Sequence, residues 1–342
     1  MEFQKIDGSF GEGGGQIIRS SVTLACITKK PIQIHNIRKN RERPGLQAQH
    51  LASIKILSKI CNASVEGLKL GSTSISFIPQ QIENYSLKED IGTAGSISLL
   101  LQVLIPAVAI ARKNLKLSII GGTDVKWSPT IDYTRYVLAE AYSRMNINFS
   151  LIVKKRGHYP RGGGNVDIEI FPSKNIRPIN LLERKTKNAK LLCSFSKISK
   201  DTITNSIEKI EKELTKRGFS ISSDVKEETS FDKGSSLLVF SLDSDSIIGL
   251  DGLFDLKKGT FPETISKDFV SNNLGVDSHL ADMLVLPASL SKELSVFRVD
   301  KITKHLETNL YVTSKINGCK YGVGKLDSGY EIRIQGNSNS SI

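Results

Sequence analysis

The chain has 342 residues, 39% hydrophobic and 24% charged, an ordinary balance for a soluble protein with a sizeable core and, by length, about two domains. Lysine and arginine number 47 against 35 acids, a net charge of +12 that favours a polyanionic partner such as nucleic acid. The longest apolar run, Ile97 to Ala111, is broken by Gln102 and Pro106 and falls short of the ~20 residues of a membrane span.

The N-terminus carries no basic and apolar leader, and Cys26, Cys61, Cys193 and Cys319 are far apart with no C-x-x-C. Buried free thiols in a reducing, cytoplasmic setting are expected. After an extended run, Phe3 to Ile6, comes GSFGEGGGQIIR, Gly8 to Arg19, and then an apolar helical run, Ile17 to Ile27. Glycines let the backbone turn through positive φ and approach a ligand closely. The helix start behind them offers unpaired N–H groups, a seat for phosphate. Glu12 would repel a bare phosphate, which suggests a metal or a positioning role. The loop is neither a Walker A nor a G-x-G-x-x-G motif, and a plain strand-to-helix turn is the competing reading. Arg19, one turn after Gln16, can point back at the loop.

A strand then leads into IRKNRERPGLQAQH, Ile37 to His50, where Arg38, Lys39, Arg41 and Arg43 oppose one acid, Glu42. Clustered arginines repel one another unless anions visit, and their forks suit phosphate; a solvated basic turn is the alternative. A second helix, about Gln47 to Cys61, places Gln49 and His50 at its start, and strands follow near Ala63–Glu66 and Ser74–Pro79.

Residues 84–172 read in the same order: an extended run at Tyr85–Leu87, a Gly92-Thr-Ala-Gly95 loop, a helix at Ser96–Ile110 and a strand at Leu115–Ile120. A helix at Thr130–Met145 and strands near Phe149–Lys154 and Asn165–Ile170 complete that unit. A third, split copy is expected. Its first strand is Ile179–Leu182, and the rest is a helix at Asp277–Leu290, a strand at Leu294–Val299, a helix at Lys304–Ile316, and strands at Cys319–Val323 and Tyr330–Ile334. The expected fold is α/β (α+β), with three repeated βαβαββ-type units in a large domain of residues 1–187 and 274–342. Residues 188–273 would form a small inserted α+β domain with an amphipathic helix, Asp201 to Arg217, stopped by Gly218. The tail, Gly336 to Ile342, is expected to fray.

Aligning the units puts His50 and His305 at the same point, the start of a second helix. Lys301 and Lys304 beside His305 would disfavour its cation and leave a neutral, nucleophilic ring. His279 and Asp282, three apart on a helix, share a face, with a capping and surface pair as the alternative. GGTDVKWSP, from Gly121, and HYPRGGG, His158 to Gly164, are polar, glycine-rich links, the second read either as a wide hairpin or as a ligand loop.

GSFGEGGGQIIR, IRKNRERPGLQAQH, GGTDVKWSP, GHYPRGGG, HLADMLVLP and KHLETN occur in the order and spacing of RNA 3′-terminal phosphate cyclases, which the chain resembles over about residues 3–335. The resemblance implies conversion of an RNA 3′-phosphate to a 2′,3′-cyclic phosphate with ATP and a divalent metal, magnesium or manganese. His305 matches the family nucleophile, which takes AMP from ATP and passes it to the RNA end, where the 2′-OH displaces it. Glu12 matches the metal-binding carboxylate. Arg19, Arg38, Arg41, Gln49 and His50 match the phosphate contacts. Gln102, Pro129, His279, Leu280, Ala281, Asp282 and Met283 match the nucleotide site. His279 stands where some members have tyrosine, and Met283 where glutamine is common. A homodimer is left open. A catalytically idle cyclase-like protein of ribosome assembly and a basic RNA-binding module without turnover are the competing classes. The presence of Glu12, the arginines and His305 argues against the first.

Overall fold

The computed structural model describes residues 2–83 and 85–337; of the tail expected to fray, residues 338–342 lie outside the described residues. Three four-stranded sheets share one strand order and sense. In the first, β1 (Gln4–Asp7) runs parallel to β2 (Ile32–His35), which pairs antiparallel with β4 (Ile75–Ile78), and β4 with β3 (Ser64–Glu66). The second has the same pattern, with β5 (Tyr85–Asp90) beside β6 (Leu115–Gly121), then β8 (Gly164–Ile170) and β7 (Phe149–Lys155). In the third, the first strand is reduced to the two-residue β9 (Asn180–Leu181), beside β14 (Leu294–Val299), β16 (Tyr330–Gln335) and β15 (Lys320–Lys325).

Between the strands lie α1 (Gly15–Thr28), α2 (Ala48–Ile60), α3 (Ile97–Ile110), α4 (Ala139–Arg144), α7 (Ser278–Ala288) and α8 (Lys304–Asn317), with α5 and α6 in the intervening segment described below. Helix α1 is central: every residue from Ile17 to Ile27 is buried, and it packs against α8, α3 and α2. Its buried polar residues, Arg19, Ser20, Ser21 and Thr23, lie among apolar ones. Cys26 in the last turn of α1 and Cys61 just past α2 have their sulfurs 3.6 Å apart, and all four cysteines are buried free thiols.

The helix expected over Thr130–Met145 opens as a π-helical turn, Tyr133–Leu138, before α4. A π-turn holds an extra residue, which a 3.6-residue periodicity does not reveal. Residues 188–273 carry a fourth sheet, ordered β11 (Ser220–Glu227), β10 (Asn188–Ser196), β12 (Gly234–Leu242) and β13 (Ile247–Leu253). Helices α5 (Lys200–Lys216) and α6 (Thr264–Ser271) belong to the same segment, which has its own apolar core around Leu191, Ile207, Leu214, Leu237 and Phe269. The chain leading into it meets its far end: the Arg184 N–H donates to Asn273 O at 2.9 Å.

This segment is bound to the second sheet by a buried cation. Arg156 donates to Asp132 and Glu228, each at 2.7 Å, and lies 3.3 Å from Asp124. Glu228 lies in the segment of the fourth sheet, so one guanidinium spans both parts. Burial pushes the Asp132 carboxyl up, against the pull of Arg156.

Candidate active site

Strand β1 delivers the chain into the glycine-rich loop through Asp7. Its Oδ1 accepts from the Ser9 N–H at 3.0 Å, Ser9 Oγ at 2.8 Å and Asn36 Nδ2 at 3.2 Å. Gly11 has φ +64°, and a Cβ there would sit 2.4 Å from Thr308 Oγ1 on α8. A Cβ on Gly15 would sit 2.4 Å from His50 Nε2 and 3.0 Å from an Arg19 guanidinium nitrogen. Only glycine lets the loop lie between α8 on one side and His50 with Arg19 on the other. Helix α1 starts at Gly15 with no side-chain cap on its first N–H groups.

Glu12 is the meeting point. Its carboxylate pairs with Arg41, which also donates to the Glu12 backbone oxygen at 3.1 Å. His305 Nδ1 lies 3.0 Å from Glu12 Oε2, a close contact without regular hydrogen-bond geometry. Burial pushes the Glu12 carboxyl up, but His305, Arg41 and Arg19 together outweigh it and hold it below the ordinary carboxylate range.

Arg19 is buried, and its guanidinium donates to Gln16 Oε1 at 2.6 Å, so it does turn back toward the loop. Burial draws it down to about 10, with Glu12 opposing. Arg38 is held differently from Arg41. It has φ +54° and reaches Arg43 O at 3.3–3.4 Å, half-buried at the edge of the cluster.

His50 is buried in the first turn of α2, where its Nδ1 accepts from the Gln47 N–H at 3.1 Å. Burial first, then Arg19 and Arg38, pull its pKa down to about 3. The ring is therefore neutral, with Nε2 carrying the hydrogen and facing Gly15. Because the unfolded histidine binds a proton near pH 6.5 and the folded one does not, stability falls as pH drops from about 6.5 toward 3, by up to about 1.4 kcal/mol per pH unit. Urea unfolding of the wild type and His50→Gln over this window is expected to show a shallower loss in the variant. Equal slopes would mean that His50 titrates normally.

On the other side of the loop, α7 and α8 are locked together at their starts. Thr303 caps α8, accepting from the Leu306 N–H at 2.9 Å while donating to Asp282 Oδ1 at 2.6 Å. Asp282 is thus a tie between helices, which excludes the alternative of a mere surface pair with His279. Burial pushes its carboxyl up to about 6. Asn309, one turn beyond His305, donates to Asp282 O at 2.6 Å and accepts from Gln16 Nε2 at 3.1 Å and Ser20 Oγ at 2.5 Å. The cap of α7 is Asp277, which accepts from the His279 and Leu280 N–H groups, Tyr133 OH at 2.8 Å and the Gly249 N–H at 2.9 Å. The His279 ring stands edge-on to Tyr133, centroids 6.2 Å apart.

Glu12, Arg19, Arg41, His50 and His305 therefore converge on one loop. Leu280, Ala281 and Pro129 are buried, so side-chain contact with a ligand is open instead to the exposed His279 and the half-buried Asp282 and Met283. Gln102 is half-buried on α3, and Gln49 is half-buried with its Nε2 unpartnered. The sequence reading missed Asn309, Ser20 and Thr303. Asn309 does stand in the KHLETN motif, and Thr303 precedes a helical run as caps do.

Comparison with known proteins bears on what this loop serves. The family model described as RNA 3′-terminal phosphate cyclase matches residues 10–323. The chain belongs to the RNA 3′-terminal phosphate cyclase family. Among curated members, the RNA 3′-terminal phosphate cyclase of Methanococcoides burtonii is 38% identical over 338 residues, 96% of this chain and 99% of that protein. The protein of the same name from Hyperthermus butylicus is 37% identical over 351 residues, 97% of each chain. The cyclase match spans the glycine-rich loop, the arginine turn and the start of α8, the three segments that meet at Glu12.

Proposed function

We propose that this chain closes RNA 3′-phosphates to 2′,3′-cyclic phosphates with ATP, through AMP carried on His305. The observation that carries the reading is His305 Nδ1 placed 3.0 Å from Glu12 Oε2, with Arg41 on the other carboxylate oxygen. A carboxylate at Nδ1 favours the tautomer with hydrogen there and leaves the Nε2 lone pair for attack. The ring is 42% exposed, so it can reach a substrate.

In the first step His305 Nε2 bonds to the α-phosphorus of ATP as the bridge to the β-phosphate breaks and pyrophosphate leaves. An oxygen of the RNA 3′-phosphate then displaces the imidazole and takes the AMP. The vicinal 2′-OH attacks the RNA phosphorus, AMP departs, and the ring closes with loss of the hydroxyl proton. The covalent relay turns a poor phosphate leaving group into AMP. Arg19, Arg41 and the uncapped start of α1 supply positive charge for the phosphates, with Arg38 at the rim. His50 is a neutral donor beside them. His279 and Met283 would flank the base, with Pro129 and Gln102 on the neighbouring unit.

Among the described residues no group of three or more His, Cys, Asp or Glu converges on a metal. One carboxylate, Glu12, fits a magnesium or manganese ion that keeps water and phosphate oxygens as its other ligands. Bound there it would supply charge neutralisation on the triphosphate. We also read the three like-ordered sheets as copies of one unit, with residues 188–273 inserted as a small domain in the third.

The function is tested with an RNA 3′-phosphate and ATP. The expected product resists phosphatase and reads as a 2′,3′-cyclic end; an end that stays phosphatase-sensitive would sink the reading. Arg38→Ala and Arg41→Ala are each expected to slow cyclisation about tenfold or more with the fold intact, since a charged contact contributes roughly 1.5–3 kcal/mol. Wild-type rates in both variants would make the cluster a solvated turn.

A further inference from the structure

Two turns of the second unit leave the fold side by side, and the reaction chemistry described above uses neither tip. Asp124 and His158 pair as a parallel bridge, and the Asp124 N–H donates to Gly157 O at 3.2 Å. From that pair the chain runs to Trp127 on one side and Tyr159 on the other. At ~3.5 Å per residue, Trp127 lies within about 10 Å of chain from the bridge, and Tyr159 is the next residue after it.

Both rings are bare. Trp127 is 95% exposed and Tyr159 76%. Trp127 also has φ +63°, a conformation that a bulky side chain adopts only against strain. Nothing in the core repays that strain, since the ring touches solvent. A third ring, Phe231, comes from the neighbouring segment and is 48% exposed. Lys155 and Arg161 lie over it, and Arg161 donates to Phe231 O at 2.8 Å.

The corner is cationic as well as aromatic. Lys126 adjoins Trp127 and is exposed, as is Arg161. Two acids lie near them. Asp232 is engaged by Arg161 at 2.9 Å, and Asp255 accepts from the Lys257 and Lys258 N–H groups at 2.9 and 3.2 Å. Exposed rings interleaved with lysine and arginine are what single-stranded nucleic acid uses, since every base has a face to stack and every phosphate a charge to meet. The link to the site is short: Pro129, two residues past Trp127, is where the chain turns inward to Thr130, whose N–H donates to half-buried Asp251 at 2.6 Å.

We propose that Trp127 and Tyr159 form a stacking platform for the RNA nucleotides upstream of the 3′ end, with Lys126 and Arg161 on their phosphates. This rests on the cyclase reading and adds a length dependence to it. A dinucleotide ending in a 3′-phosphate fills the reaction site alone, whereas a dodecamer reaches the platform.

The test compares kcat/KM for both RNAs in the wild type and in Trp127→Ala/Tyr159→Ala, with thermal melting as the control for folding. The double variant is expected to lose about tenfold or more on the dodecamer, to keep wild-type kcat/KM on the dinucleotide, and to keep its rate of self-adenylylation from ATP. Trp127→Phe should restore much of the loss. An equal loss on both lengths, or none on the dodecamer, overturns the platform. If the wild type closes neither RNA, the cyclase reading fails instead. Fluorescence anisotropy of a labelled 3′-hydroxyl dodecamer then decides the platform alone: weakened binding in the double variant supports it, and unchanged binding overturns it.

Discussion

His305→Ala is expected to reduce both covalent adenylylation and closure of an RNA 3′-phosphate to the level of the no-enzyme control. The same variant should still close an RNA end that already carries AMP, because the last step needs no protein nucleophile. This split separates loss of a nucleophile from loss of a fold. A merely misfolded protein would fail on both substrates. Neither alternative histidine nearby can replace it easily. His50 is buried, its Nδ1 is committed to the Gln47 N–H, and its hydrogen faces Gly15. His279 stands edge-on to Tyr133 on α7, whereas the Glu12 carboxylate faces His305.

The second large effect is expected at Glu12. Glu12→Gln removes the charge that faces His305 Nδ1 and the one Arg41 pairs with, two charge-assisted contacts of roughly 1.5–3 kcal/mol each. Adenylylation should slow by about a hundredfold or more, measured as single-turnover transfer from ATP, and Glu12→Asp should recover part of it. An unchanged rate in Glu12→Gln would remove Glu12 from the chemistry and leave it as a loop brace.

Much of this was legible in the residues. Most strand and helix positions followed from periodicity and breakers, the π-helical turn at Tyr133–Leu138 excepted. The glycine run implied a backbone pressed close to something, and Gly11 and Gly15 are tightly enclosed by Thr308, His50 and Arg19. The shared position of His50 and His305, each in the first turn of its helix, was also readable.

What escaped the reading lies in contacts between segments far apart in the chain. Asn309 bonds to Gln16 and Ser20 across 293 and 289 residues, and no local pattern encodes such a meeting. Spacing put Asp282 on one face with His279, but spacing on one helix says nothing of Thr303 on the next. Arg156, just past the strand read at Phe149–Lys154, carried no signal of its own, yet it gathers carboxylates from positions 124, 132 and 228. Lysines beside His305 were visible in sequence, but the carboxylate that faces the ring arrives from residue 12.

The measurement closest to the centre of this mechanism is the site of AMP on the protein. Incubation with ATP labelled at the α-phosphate and a divalent metal, followed by proteolysis and mass spectrometry, should place AMP on the peptide containing His305. The bond should be acid-labile and alkali-stable, as expected of phosphorus on nitrogen. Label on any other peptide, or label that persists on the His305→Ala protein, would contradict His305 as the nucleophile.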